Sequence, residues 1–204
     1  MTEESTEKPE KIQLEGIIEK NKVLISDEKG IEEFYNTSSI GDIEQNDDDQ
    51  KILVLTPVEV LLLCERKRVL LWEENDKNKS PFDFESLLIY FTQFDDRLWH
   101  KYIIYSDLRK RGYIVRTGYG EGIDFRVYKR GADFKNDTAK YLIYPVFEGQ
   151  PIELRDLDKM SRVALSSRKD LIVATVDRLS KAIYYSVKKF QILNKEEEID
   201  QNAG

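Results

Sequence analysis

The sequence predicts a protein of the α/β (α+β) class, with a small N-terminal α/β domain and a C-terminal α/β domain built on a mixed central sheet. Apolar residues form 40% of the 204-residue chain and aromatic residues 11%, which is enough to build a buried core. Amphipathic helical stretches alternate with short β-branched and aromatic runs in both halves. The charge balance also changes sign near residue 96. We therefore predict domains over residues 12–94 and 95–192, with disordered ends over 1–11 and 193–204.

Two helix-start signals stand out in the N-terminal half. Thr56 is a typical N-cap residue, and Pro57 suits the first helical position, where a backbone N–H has no partner within the helix. Ser80 and Pro81 repeat this signal before a second amphipathic stretch. The helix that starts at Pro57 is predicted to reach Lys67. The other predicted elements are a hairpin over 17–18 and 22–25, a short helix over 29–40, an acidic loop over 42–50 and a strand over 69–72.

The C-terminal half predicts a helix followed by a mixed set of strands. Apolar residues from 98 to 108 recur at helical spacing, and Gly112 fits the C-terminal stop of that helix. The glycine-rich stretch 118–122 predicts a β-turn between strands, because no helix follows it to place backbone N–H groups on a phosphate. The remaining predictions are strands over 113–118, 123–129, 139–146, 170–177 and 181–190 and a helix over 153–169.

The charge is distributed unevenly. Residues 1–96 carry 11 Lys and Arg against 24 Asp and Glu, whereas residues 97–170 carry 16 against 10. A basic segment beside an acidic one suggests a polyanionic partner for the basic half; the alternative is a solvated surface with uneven charge. The single Cys64 lies in an apolar stretch and allows no disulfide, which suits a reducing compartment. With no apolar run of membrane-spanning length and an acidic N-terminus, the sequence predicts a cytoplasmic location.

Three motifs in order carry a resemblance to a known family. They are DLRKRGYIV, beginning at Asp107, DFRVY, beginning at Asp124, and RVALSSRK, beginning at Arg162. With AKYLIY between the last two, the chain resembles the archaeal tRNA-splicing endonucleases over nearly its whole length. The stretch LTPVEVLLLCERKRVLLW is similar to the helix of that family's N-terminal domain. The resemblance implies a nuclease-type C-terminal domain and a pre-tRNA substrate.

The resemblance also implies an activity and a set of site residues. The family cuts pre-tRNA at bulge-helix-bulge junctions without a metal or other cofactor, leaving a 2′,3′-cyclic phosphate and a 5′-hydroxyl. Its catalytic Tyr and Lys fall on Tyr128 and Lys169. Its catalytic His falls on Thr138, so this chain departs from the pattern at one position. Tyr128 has a simpler interpretation at a strand end, and Lys169 has one at a helix C-terminus.

The Thr at position 138 matters because Tyr, Lys, His and Thr side chains differ in the proton-transfer and charge-stabilising roles they can fill. A Tyr beside a positive charge can act as the base for a ribose 2′-hydroxyl, and a Lys can stabilise the charged phosphorane. A His suits the role of acid because its pKa lies near neutrality. A Thr hydroxyl only forms hydrogen bonds at neutral pH. His100 is the one histidine of the chain, and its position on a predicted helix before the first strand favours a surface or core-edge role.

Three hypotheses about the function stay open at this point. In the first, the chain is a structural subunit whose partner is a homologous, His-bearing catalytic chain in an α2β2 assembly. In the second, the chain is itself the nuclease, acting as a homo-oligomer with water or another group in place of the His. In the third, it is an RNA-binding α/β protein that does not cleave. The retention of both Tyr128 and Lys169 argues against a purely structural role.

Further residues are assigned to RNA binding and assembly. The resemblance implies that Arg162 clamps a bulge base by stacking. Arg162 lies seven residues before Lys169, which places it about two turns back on the same face of the predicted helix. It also implies an inter-chain acidic loop, but in this chain the corresponding loop holds only Asp177, diluted by Arg178 and Lys181. The final strand, which includes Tyr184 and Tyr185, is apolar enough to pair with the edge of another chain. The remaining candidates for phosphate contact are Arg126, Lys129, Arg130, Lys135 and Lys140.

A metal site is disfavoured by the sequence. Asp124 and Glu121 are the nearest pair of carboxylates to the candidate site, but they flank a glycine-rich turn. Two acids in such a turn are more typical of solvated loop charges than of metal ligands. The sequence therefore predicts no metal and no cofactor.

Overall fold

The computed structural model describes residues 13–46, 48–73, 76–78, 80–120, 122–147, 149 and 151–188. It is a mixed α/β structure, which confirms the predicted fold class. The predicted disordered ends over 1–11 and 193–204 lie outside the described residues. None of the helices in the described part of the chain combines the length and the hydrophobicity needed to cross a bilayer.

The N-terminal half contains a four-stranded antiparallel sheet and a separate parallel pair of strands. The sheet has the order β2-β3-β5-β4, and β1 pairs with β6 in parallel. The hairpin predicted over 17–18 and 22–25 is present as β2 and β3. The strands are β1 Leu14–Glu15, β2 Ile17–Glu19, β3 Lys22–Ile25, β4 Asp42–Gln45, β5 Lys51–Leu55 and β6 Val69–Leu70.

The prediction of an acidic loop over 42–50 was wrong for its first part. Residues 42–45 form β4, which pairs with β5 from Asp42 opposite Val54 to Gln45 opposite Lys51. Three of its four residues are polar and exposed, so the strand has no hydrophobic period of its own. Backbone pairing with the largely buried β5 decides its conformation, which is a tertiary effect on a segment of weak local preference.

Five α-helices complete the described chain: α1 Glu28–Gly30, α2 Pro57–Glu65, α3 Phe84–Thr92, α4 Leu98–Lys110 and α5 Leu154–Ser166. α1 continues directly into a π-helical segment, Ile31–Thr37. The Thr56 and Pro57 start of α2 is confirmed, and Thr56 forms a capping box with Glu59. The Ser80 and Pro81 start was wrong, because Asp83 caps α3 by accepting a hydrogen bond from the Ser86 N–H at 2.8 Å.

The C-terminal half contains a five-stranded mixed sheet with the order β11-β10-β9-β8-β7. Only β9 and β10 run parallel; the other neighbours are antiparallel. The α5 helix connects β9 to β10, as a parallel crossover requires. The strands are β7 Ile114–Gly120, β8 Ile123–Tyr128, β9 Tyr141–Val146, β10 Asp170–Val176 and β11 Ala182–Val187.

A single large core crosses the predicted domain boundary at residues 94–95. Its buried members include Leu53 and Leu61 from the N-terminal half and Val127 and Ile143 from the C-terminal sheet. The α4 helix contributes Tyr105 to the same cluster. A smaller cluster lies between α5 and the other face of the C-terminal sheet. The boundary therefore stays a prediction, because apolar packing is continuous across it.

Glu59 gives a direct test of how α2 is held in the N-terminal half. Its buried carboxylate accepts hydrogen bonds from the Gly41 N–H at 2.9 Å, the Thr56 N–H at 2.9 Å and the Thr56 hydroxyl at 2.8 Å. We expect Glu59→Ala to lower the free energy of unfolding by about 1–3 kcal/mol, since it leaves buried donors without partners. Urea unfolding followed by circular dichroism measures this.

The exposed Glu19 in β2 provides the matched control for this experiment. Its replacement by Ala should change the free energy of unfolding by less than about 0.5 kcal/mol. Equal effects of the two substitutions would contradict the role given to Glu59.

Candidate functional site

The ends of three strands bring two of the predicted catalytic positions together. The Lys140 N–H donates to the Val127 carbonyl at 2.9 Å, and the Asp170 N–H donates to the Lys140 carbonyl at 3.0 Å. One position further along the strands, Tyr128 and Lys169 therefore stand on either side of Lys140. Neighbouring strands lie about 4.8 Å apart, which places the Cα atoms of Tyr128 and Lys169 roughly 10 Å apart. We call Tyr128, Lys140 and Lys169 the site row.

The Tyr128 end of the site row faces the side of the sheet that α5 covers. Leu142 is in register with both Arg126 and Leu171. Leu142 and Leu171 pack with Met160 and Ala164 of α5 in the smaller core cluster. Side chains two residues apart on a strand share a face, so Tyr128 at the end of β8 points to the same side as Arg126, just beyond this cluster.

A turn in the backbone between α5 and β10 places Lys169 in the site row. After α5 ends, Arg168 adopts a left-handed conformation with φ of 54°, and the Lys169 N–H donates to the Ala164 carbonyl at 2.8 Å. This closes the helix and starts β10 at Asp170. The Lys169 ammonium donates to the Ser167 carbonyl at 3.0 Å, so in this state it also serves the helix C-terminus.

Thr138 lies beside the site row on an exposed segment. It directly precedes Ala139 and Lys140, and its side chain is open to solvent. A compact turn leads into it: the Asp137 N–H donates to the Asp133 carbonyl at 2.6 Å, and the Asp133 N–H donates to the Asp137 carboxylate at 2.8 Å. Tyr128, by contrast, is almost fully buried. The site thus offers one buried phenol, one exposed alcohol and two ammonium groups.

His100 lies at the other end of the sheet from Thr138. Its ring contacts Phe147 edge-on, with centroids 5.1 Å apart, and Phe147 follows the last residue of β9. Thr138 precedes the first residue of β9, and six strand residues span roughly 20 Å. Within one chain His100 therefore cannot reach the site row, in keeping with the core-edge role expected from the sequence.

The structure corrects the reasoning that linked Arg162 to Lys169. The predicted helix over 153–169 would have placed both on one helical face, but α5 ends at Ser166 and Lys169 belongs to the turn into β10. Arg162 is exposed, and its Nε donates to the Asp158 carboxylate at 2.7 Å on the same helix. Its role as a base clamp stays a prediction.

The other basic candidates lie around the loop between β8 and β9. Lys140 forms an ion pair with Asp170 at 2.9 Å, and this hydrogen bond raises the pKa of the Lys140 ammonium. Arg126 donates from Nε to the Thr117 carbonyl at 2.8 Å. Lys129 and Arg130 are exposed, which leaves them accessible to phosphates.

Three of these cations are held against aromatic rings. The Arg126 guanidinium lies 5.4 Å from the ring centroid of Tyr119, and that of Arg130 lies 5.1 Å from the ring of Tyr113. Lys135 donates from Nζ to the Asn36 side chain at 2.7 Å and lies 4.8 Å from the ring of Tyr35. Such contacts orient a cation while keeping its charge.

Asp124 is engaged in a structural ion network. The Lys101 ammonium lies 2.9 Å from the Asp124 carboxylate and 2.8 Å from that of Asp95. Glu121 lies outside the described residues. Within the described ranges, the structure shows no group of three or more His, Cys, Asp or Glu side chains arranged to hold a metal ion.

The predicted interface residues occupy the outer hairpin of the C-terminal sheet. The Asp177 carboxylate accepts the N–H groups of Leu179 at 2.9 Å and Lys181 at 2.8 Å, so its charge stabilises the turn between β10 and β11. Tyr184 is half-buried and donates its hydroxyl to the Asp107 carboxylate at 2.8 Å. Tyr185 is 55% exposed on β11, the edge strand of the sheet.

Comparison with known proteins decides the family. Residues 98–185 match the model of the tRNA intron endonuclease catalytic C-terminal domain, and residues 14–88 match that of the tRNA intron endonuclease N-terminal domain. The chain belongs to the tRNA intron endonuclease family. It is 36% identical over 166 residues to the tRNA-splicing endonuclease of Methanococcus maripaludis, a match that covers 81% of this chain and 88% of that protein.

Two further archaeal members of the family are similar to the chain. The tRNA-splicing endonuclease of Methanococcus vannielii is 35% identical over 166 residues, 81% of this chain and 88% of the relative. That of Thermococcus onnurineus is 32% identical over 161 residues, 79% of this chain and 87% of the relative. The family expected from the motifs is therefore confirmed.

Sequence reasoning missed how the site row is held together. Asp170 pairs with Lys140 through both its backbone and its side chain, and so connects the segments that carry Lys169 and Thr138. The only sequence signal is an acid at the first position of a strand directly after Lys169. An isolated acid of this kind is common, so the pairing becomes evident only once β9 and β10 are in register.

Tyr184 gives a prediction about pH. Burial and then the hydrogen bond to Asp107 raise the pKa of Tyr184 above its ordinary value of 10.0. The folded chain keeps the phenol proton to higher pH than the unfolded chain, so the free energy of unfolding falls as pH rises above about 10. We expect Tyr184→Phe to make this fall less steep in urea unfolding measured from about pH 8 to about pH 11.

Ile183→Val on the same strand serves as the control, since it removes no ionisable group. A Tyr184→Phe variant with the same pH dependence as the wild type would show that this phenol contributes nothing to alkaline stability.

Proposed function

We propose that the chain is a pre-tRNA-binding, non-catalytic subunit of a tRNA-splicing endonuclease, located in the cytoplasm. The observation that carries the proposal is Thr138, an exposed alcohol beside the site row where the resemblance puts a His. The chemistry would then be completed by a homologous chain that bears the His. Family membership and the basic surface around the β8–β9 loop support the choice of RNA as the partner.

The reaction itself explains why one residue is decisive. The ribose 2′-hydroxyl gives its proton to a base, the role that the resemblance implies for a Tyr at position 128. The 2′-oxygen attacks the adjacent phosphorus, and the bond from phosphorus to the 5′-oxygen breaks. The products are a 2′,3′-cyclic phosphate and a 5′-oxygen that must gain a proton. A group with a near-neutral pKa supplies this proton efficiently, and a Thr hydroxyl does not. The negative charge that builds up on the phosphorane oxygens needs a cation, a role that a Lys at position 169 would fill in a catalytic chain.

The retained residues have a role in a non-catalytic subunit. Lys140 and Lys169 place two ammonium groups at the end of one sheet, where they would bind the RNA backbone without sequence preference. Tyr128 is almost fully buried at the end of β8, and packing alone explains part of its presence. The chain would in this way keep a substrate-binding surface in the absence of the acid.

A second candidate function is that the chain itself cleaves RNA. The observation that favours it is the alignment of Tyr128 and Lys169 on either side of Lys140. Water or another group would then protonate the leaving oxygen, at a cost of about 10²–10⁴ in rate compared with a positioned acid. A third hypothesis, an RNA-binding α/β protein that does not cleave, predicts binding without any effect on cleavage.

The decisive experiment uses a pre-tRNA with a bulge-helix-bulge intron in the presence of a metal chelator. We expect the purified chain to be silent alone and to support cleavage when mixed with a homologous chain that bears His at the position of Thr138. We also expect Thr138→His to cleave about 10²–10⁴ times faster than any residual cleavage by the wild-type chain, because the acid is restored. Gel analysis of the product ends measures both.

Thr138→Ala is the matched control, because it changes the same position without adding an acid. Rapid cleavage by the wild-type chain alone would overturn the subunit proposal in favour of the second candidate. Binding of the pre-tRNA with no cleavage in any mixture would favour the third.

We also propose that β11 forms the interface with another chain, either the His-bearing partner or a second copy. As an edge strand, β11 leaves backbone groups available for pairing, and it exposes Ile183 and Tyr185. The hairpin turn that carries Asp177 is a poor donor of negative charge, because that carboxylate is already bonded to backbone N–H groups.

Tyr185 tests this interface. We expect Tyr185→Lys to weaken association at least about tenfold, because a charge is placed on an apolar pairing edge. Sedimentation velocity over a concentration series measures the effect. Leu154→Lys is the control, since Leu154 is also an exposed apolar residue but lies on α5. If both variants associate as the wild type does, β11 is not the interface.

A further inference from the structure

Arg116 is a charged side chain buried between the two halves of the chain. It lies on β7, the edge strand nearest the N-terminal half, and only 5% of it is exposed. Its guanidinium donates to the Gly41 carbonyl at 2.6 Å and pairs with the Asp42 carboxylate. The N-terminal half thus supplies the counter-charge for a buried cation of the C-terminal sheet, and the Asp42 carboxylate that pairs with it is itself 62% exposed.

The same guanidinium lies close to two aromatic rings from different segments. Its central carbon lies 4.6 Å from the ring centroid of Phe134, in the β8–β9 loop, and 5.8 Å from that of Tyr35, in the π-helical segment. The two rings meet edge-to-face, with centroids 5.2 Å apart at 87°. Arg116, Tyr35 and Phe134 form what we call the inter-half stack.

The loop residue next to Phe134 adds a second attachment. The Lys135 ammonium donates to the Asn36 side chain at 2.7 Å and lies 4.8 Å from the ring of Tyr35. Two consecutive residues of the β8–β9 loop therefore bind the π-helical segment of the N-terminal half. The π-helical geometry is itself uncommon and is frequent at functional positions.

The two attached loop residues lie only a few positions before Thr138 in the sequence. The turn that begins at Asp133 includes Phe134 and Lys135, closes through the Asp137 N–H, and is followed directly by Thr138. On the other side Thr138 leads into β9, and this part of the chain is tied to β8 through the Lys140 N–H bond to the Val127 carbonyl. The Thr138 segment is thus held at both ends, by the sheet on one side and by the N-terminal half on the other.

We propose that the inter-half stack is a positioning device: Arg116 and Phe134 use the N-terminal half to hold the Thr138 segment at the site row. This inference rests on the proposed function for its consequence, the placement of position 138 towards the RNA. Its structural part, the ordering of the loop, stands independently. Small displacements of a reacting group cost large factors in rate. The catalytic contribution of a residue at position 138 would therefore depend on this attachment, although neither Arg116 nor Phe134 contacts the RNA.

The first test measures loop order in the intact chain by hydrogen exchange. Phe134→Ala removes one aromatic face from Arg116 but leaves the ion pair with Asp42, so the chain should fold. We expect amide exchange at residues 135–137 to accelerate about tenfold, while the amides of Lys140 and Asp170 keep their rates because strand pairing protects them. Phe134→Tyr should restore slow exchange. Unchanged exchange at 135–137 in Phe134→Ala would overturn the proposal.

The second test uses the Thr138→His chain with pre-tRNA. Adding Phe134→Ala should lower kcat by about 10–100-fold and leave KM within about twofold, since the acid is misplaced while the binding surface is kept. Phe134→Tyr should recover the rate. The control is Phe94→Ala, because Phe94 is a half-exposed ring that contacts Tyr90 at 5.7 Å, away from the loop. A rise in KM alone, or an equal loss in the control, would overturn the positioning role.

The two tests separate failure of this inference from failure of the proposed function. A Thr138→His chain that neither cleaves nor binds pre-tRNA would count against the proposed function. In that event the hydrogen-exchange measurement still tests whether the inter-half stack orders residues 135–137, because that measurement involves no RNA.

Discussion

The register of three strands around Lys140 is the constraint on which the candidate site depends. Two backbone hydrogen bonds, to Val127 on one side and from Asp170 on the other, align the end of β8 with the starts of β9 and β10. That alignment brings together residues 41 positions apart in sequence, Tyr128 and Lys169. A slip of one residue in either pairing would turn one of them to the opposite face of the sheet. The site is therefore a product of sheet topology more than of any local motif.

Within that alignment, the side chain at position 138 decides whether a proton donor is present. The phenol and the ammonium groups are present, while the position expected to supply a proton carries an alcohol on an exposed segment. His100, the one histidine of the chain, lies near the far end of β9, against Phe147. This combination fits a division of labour, in which a chain keeps the surface that binds a phosphate backbone and a homologous chain provides the acid. It also explains why family membership alone does not decide whether the chain cleaves RNA.

The N-terminal half takes part in the arrangement of the C-terminal sheet. One apolar core runs through both halves, and Arg116 and Arg109 donate to carbonyls of Gly41 and Ser38 across their boundary. These polar contacts are costly to bury and need close geometry, so they specify how the halves meet. The β8–β9 loop, whose attachments reach the π-helical segment, takes its position from that contact. Substrate geometry at the sheet would in this way depend on residues that belong to the other half.

The sequence alone determined the fold class, most helices and strands, the family and the identity of Thr138, because periodicity, caps and motifs are local signals. It did not reveal β4, whose polar residues become a strand only by pairing with β5. Nor did it show that α5 stops at Ser166, which removes Arg162 and Lys169 from a common helical face. Tertiary structure alone decided the site row, the distance of His100 and the burial of Arg116. Each of these depends on contacts between segments far apart in sequence, and such contacts leave no period or spacing in the chain.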